Sequence, residues 1–177
     1  MSMNDVDMNA LHFFYTPSPR YSWGLSHEYL RESKANMTAV QGNYLIKRWN
    51  LPEAQANLYF KGGAGVAYGS GDQEPAVYGG VAADWENRRL YTSYENHFIW
   101  AGDVHKSAAH TARVGVAPYI GDYGDLHTWL MLQTDYDAGD KDSFSVTPLV
   151  RMFKGTTLVE AGYNLDDGIL FNLMMTY

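Results

Sequence analysis

From residue 20 onward the chain alternates between apolar and polar residues with a period of two. It does so in ten long runs separated by Gly, Asp, Asn and Pro clusters. The runs cover 21–31, 37–49, 54–68, 75–86, 88–101, 108–121, 125–137, 142–153, 156–165 and 168–177, and a further run at 10–16 precedes Pro17 and Pro19. Period two is the signature of strands, because successive side chains point to opposite faces. Only 50–57 has the flavour of a helix start, with Pro52 and Glu53, and it is too short to matter. The runs are about ten residues or more, the length a tilted strand needs to cross a membrane. Strands of soluble proteins are commonly about half as long. The expected fold is therefore all-β: a closed antiparallel up-and-down transmembrane barrel.

Composition narrows the function classes. A chain of 177 residues suits one domain. With 13 Lys and Arg against 20 Asp and Glu, the net charge of -7 argues against a nucleic-acid binder, which needs a basic face. The absence of cysteine excludes disulfide scaffolds, thiol catalysis and Cys-based zinc sites. No apolar run approaches the length of a transmembrane helix. The first ten residues carry neither a basic nor an apolar signal-peptide region, so the chain reads as a mature form with an initiator Met.

Alternation leaves open which row faces outward, since a soluble ligand-binding barrel would bury its apolar row. Three features favour the inverted arrangement. Apolar rows carry aromatics towards their ends, at Tyr21, Trp23, Trp85, Phe98, Trp100, Tyr136, Tyr163 and Tyr177, as expected of girdles at two membrane interfaces. Connections alternate: 31–36, 69–74, 102–107 and 137–141 look long and charged, whereas 50–53, 86–88, 121–124 and 154–156 look short. Long loops outside and short periplasmic turns are the usual asymmetry of such barrels. The chain also ends on an aromatic residue within a strand-like run.

That ending, Asp167 to Tyr177 (DGILFNLMMTY), resembles the C-terminal assembly signal of bacterial outer-membrane β-barrel proteins. The residues that carry the likeness are Gly168, Phe171, Leu173, Met175 and Tyr177. The resemblance implies an outer-membrane location, recognition by the barrel assembly machinery, and a bilayer and lipopolysaccharide as surroundings. An even strand number returns both termini to one side, so ten strands are expected over 20–177, with 1–19 as a periplasmic or plug segment. Alternatively, 10–16 is one half of a pair that makes twelve.

With the apolar rows outward, the lumen is expected to hold a polar network that includes Glu28, Lys61, Asp84, Glu95, His97, Arg113, His127, Asp135, Arg151 and Glu160. Lys47, Tyr78, Tyr91, Tyr119 and Gln133 fall on the same rows. Such charges either brace the wall or line a narrow passage for small solutes or ions. The weak catalytic candidates are Glu95 and His97, with Ser93 on their row, which would make a barrel-embedded hydrolase acting on lipid or peptide. Residues two apart on a strand lie roughly 6–7 Å from each other, so cross-strand partners would have to complete a site. No G-x-S-x-G nucleophile motif is present, and non-enzymatic action is the favoured expectation.

No metal or cofactor is expected. His12, His27, His105 and His110, with Asp103 nearby, lack a local ligand spacing, and Met3 and Met8 offer only scattered thioethers. Asp72, Glu74, Asp137, Asp140 and Asp142 read as solvated loop acids that could bind cations bridging lipopolysaccharide.

Overall fold

The computed structural model describes residues 1–4, 8–31, 33–69, 72–122, 124–138, 144–165 and 168–176, except the side chain of Asp72. Its strands are β1 (Ser2–Asn4), β2 (Met8–Ser18), β3 (Tyr21–Leu30), β4 (Ala35–Asn50), β5 (Ala54–Gly69) and β6 (Asp72–Asn87). They continue as β7 (Leu90–Ala101), β8 (His105–Val116), β9 (His127–Asp137), β10 (Phe144–Lys154), β11 (Thr157–Asn164) and β12 (Gly168–Met175). Each pairs antiparallel with its sequence neighbours. β1 closes the ring by pairing with both β2 and β12, placing Ser2 opposite Leu11 and Leu173.

The architecture is thus an all-β closed antiparallel up-and-down barrel, and among the described residues its strand count is twelve rather than ten. The two additional strands come from the segment before residue 20: run 10–16 is part of β2, and Ser2–Asn4 supplies its partner. Pro17 and a register shift between Tyr15 and Ser18 interrupt the end of β2, which hides it from a pattern search.

The rows face as expected. Trp23, Leu25, Val40, Phe60, Val114, Leu130 and Leu132 lie on the exterior, and Phe13 is 64% exposed there. Of the expected girdle residues, Tyr21, Phe98, Trp100, Tyr136 and Tyr163 are exposed on this surface; Tyr177 lies outside the described residues. Inward rows are buried and mostly small or polar, such as Ser26, Gln41, Asn57, Gln133 and Thr147. Large apolar side chains on the outside and polar ones within invert the pattern of a soluble barrel.

Local chemistry sets the turns. The Asn87 side-chain carbonyl accepts the backbone N–H groups of Arg89 and Leu90 at 2.8 and 2.6 Å, closing the β6–β7 turn. Gly155, with a φ of 60°, occupies the left-handed region between β10 and β11.

The end at which β1 begins and β12 finishes is termed the near end, and the opposite end the far end. The loop asymmetry differs from the expected one. The connection from 117 to 126, between β8 and β9, is the longest and lies at the near end. Pro118 and Tyr119 therefore belong to this connection, not to a strand or the lumen. Two arginines of the β6–β7 turn tie it down: Arg88 donates to the Gly121 carbonyl, and Arg89 to the carbonyls of Ala117 and Pro118, each at 3.4 Å.

Candidate functional site

The lumen is built from alternate residues of every strand, so its chemistry follows from strand phase. A bulge between Leu45 and Lys47 reverses that phase in β4. Lys47 consequently points outward, with its ammonium 4.9 Å from the Trp49 ring centre, and Arg48 enters the lumen in its place. There Arg48 Nε donates to Asn57 Oδ1 (2.7 Å), and Asn57 Nδ2 donates to Asp84 Oδ1 (2.7 Å).

The densest cluster spans β8 to β12. Glu160, only 3% exposed, receives Arg151 Nε at 2.6 Å, Arg113 Nη1 at 3.3 Å and Asn172 Nδ2 at 2.8 Å. Arg113 Nε also donates to Gln133 Oε1 (2.7 Å). The Gln133 amide and the Thr111 hydroxyl then donate to the two oxygens of Asp135 at 2.8 and 2.7 Å. Arg151 lies over the Tyr91 ring at 4.7 Å. A carboxylate holding two guanidiniums and an amide is fully satisfied, which is the condition for a buried charge to be tolerated.

A second cluster spans β2 to β7. Lys61 Nζ donates to both Glu95 oxygens at 2.8 and 2.7 Å. The Tyr78 hydroxyl donates to Gln41 Oε1 (2.8 Å), Gln41 Nε2 donates to the Leu25 carbonyl (3.1 Å), and His12 Nδ1 lies 3.1 Å from that nitrogen. His97 sits edge-on to Tyr78 at 5.2 Å between ring centres. Gly63 makes room for this ring: a Cβ there would lie 2.5 Å from Tyr78 and 2.6 Å from the Val40 carbonyl.

Among the described residues, no hydrogen bond links Ser93, Glu95 and His97; Glu95 is held by Lys61 and His97 by ring contact. His127 lies apart, at the near mouth, in a cavity of about 110 Å³ that it shares with Arg88, Tyr119 and Trp129. Of the remaining histidines, His27 and His110 are outward, held by Thr38 and Tyr94, and His105 lies 3.1 Å from the Ser107 hydroxyl. No group of three or more His, Asp or Glu with metal-site geometry occurs among the described residues.

The far half differs in kind. Leu30, Met37, Ala67, Tyr78, Ile99 and Ala101 form a buried apolar sleeve on the inner wall of β3 to β7. Glu28 lies on the same inward row as Leu30, is 2% exposed, and leaves Oε2 without a hydrogen-bond partner; Ser26 Oγ is likewise unpartnered. Asp137 at the end of β9 also has a buried Oδ1 without a partner. Glu74 and Asp137 read from sequence as loop acids, but they close inward rows of β6 and β9. Asp140 and Asp142 lie outside the described residues, as does the Asp72 side chain.

A closed barrel with an apolar exterior and a polar interior has the form of an outer-membrane β-barrel. No protein-family model matches the sequence, and no curated protein matches it. Among solved structures, the fold is similar to that of the KdgM porin, determined in complex with disordered oligogalacturonate. The two share a TM-score of 0.57 and 14% identity over 99% of this chain and 96% of that one.

Proposed function

We propose that the protein resides in the bacterial outer membrane as a narrow passage for small solutes or ions. The observation that carries this reading is the inverted barrel: an exterior of exposed Trp, Phe, Leu and Val closes around a wall whose inward rows bear Lys61, Glu95, Arg113, Asp135 and Glu160. A wall of that polarity stabilises water and ions in the interior of a membrane. The similar fold of a porin supports the reading. That porin was determined with oligogalacturonate, whereas the lumen of this chain couples Arg113 and Arg151 to its own carboxylate, Glu160, which favours small solutes.

The bilayer and lipopolysaccharide are the proposed surroundings of the aromatic exterior. The outward row Phe171, Leu173 and Met175 of β12, starting from Gly168, is the proposed contact for the assembly machinery. Planar-bilayer recording tests the passage: purified protein should give discrete conductance steps, and a protein that inserts in folded form yet never conducts would refute it.

A further inference from the structure

The acidic and basic groups of the inner wall are divided unequally along the barrel axis. Its bases are Arg48, Lys61, Arg113 and Arg151, and each lies between the midpoint of its strand and the near end. Beyond those midpoints the inward rows of the described residues contain no Lys or Arg, yet they contain Glu28, Glu74, Asp135 and Asp137. Of the described cations at this end, Lys106 points outward beside Asp103 at 3.7 Å, Arg31 donates outside the barrel to Asn9, and Lys34 is exposed in the β3–β4 connection.

Glu28 Oε2 and Asp137 Oδ1 are buried carboxylate oxygens without a donor, the arrangement that costs most to leave unsatisfied. What such an oxygen lacks is a hydrogen-bond donor, a proton or a cation, and an anion supplies none of these. Acidic linings of this kind raise local cation concentration and repel anions, and a low-dielectric sleeve strengthens both effects.

We propose that the far half of the lumen is a cation-selecting vestibule, so that the passage carries small cations in preference to anions. Glu74 and Asp137 set the preference at the mouth and Glu28 sets it at the apolar sleeve. The inference rests on the passage reading above and adds the class of solute to it.

The test is the reversal potential of the full chain in a planar bilayer under a tenfold KCl gradient. The wild type should favour K⁺ over Cl⁻ by about threefold or more, as acidic linings do. The E74Q/D137N pair, at the rim where folding is least at stake, should reduce that ratio about twofold or more while conductance persists. The E74K/D137K pair should bring it to unity or invert it. A wild-type passage that is unselective or prefers Cl⁻ overturns the selectivity alone. A ratio unmoved by both rim pairs overturns the assignment to these residues. Folded, inserted protein that never conducts overturns the passage reading, and this inference falls with it.

Discussion

The two halves of the lumen treat buried acid in opposite ways. In the near half and at the barrel's waist, Glu160 and Glu95 are tied to bases, and Asp84 is engaged through Asn57 to Arg48. In the far half, Glu28 and Asp137 leave oxygens unpartnered, one of them against an apolar sleeve. Paired acid braces a wall, because removing one member strands the other in a poorly solvated place. Unpartnered acid forms no such brace across the wall. The difference separates residues that hold the barrel from residues that act on its contents.

The largest expected effect tests the braced side. Glu160→Ala leaves Arg113 and Arg151 without their carboxylate and Asn172 without its acceptor, and should destabilise the folded barrel by about 3–5 kcal/mol in reversible urea denaturation in lipid or detergent. Gly63→Ala places a Cβ against the Tyr78 ring and the Val40 carbonyl, and should lower stability by about 1–3 kcal/mol in the same assay. Glu28→Met should act in the opposite direction, leaving stability unchanged or raising it by about 1–3 kcal/mol, because it removes an unsatisfied buried oxygen from an apolar sleeve. A Glu28→Met loss as large as that of Glu160→Ala would erase the distinction between the halves. The smallest effect is expected at Asp135, which holds only a hydroxyl and an amide: Asp135→Asn should change stability by about 1 kcal/mol or less.

Much of the barrel was legible because period two is a backbone property, and ten of the strands repeat it at length. What escaped has local causes. Run 108–121 keeps its alternation through Pro118 and Tyr119, although β8 ends at Val116 and the chain leaves the wall there. In β4 one extra residue exchanged the roles of Lys47 and Arg48, and no composition rule marks a bulge. Glu74 and Asp137 border turn-like sequence, so their inward phase emerges only from the observed register. Lys61, Glu95, Arg113, Arg151 and Glu160 make their contacts from inward rows, a placement that follows from strand phase. Which of them meet was not readable. Arg113 on β8 reaches Glu160 on β11 across two intervening strands, and such a contact depends on the curvature and register of the closed ring.

The account depends on which row meets lipid and which meets water, and the lack of cysteine makes that directly measurable. Single cysteines at Ser93, on an inward row, and Ala112, on an outward row one residue from Ser93's cross-strand partner Arg113, should behave oppositely in sealed vesicles. The account predicts that the Ser93→Cys thiol reacts with a small water-soluble, membrane-impermeant reagent, while a probe at Ala112→Cys is quenched by brominated lipid. Lipid quenching at position 93 together with aqueous labelling at 112 would contradict it.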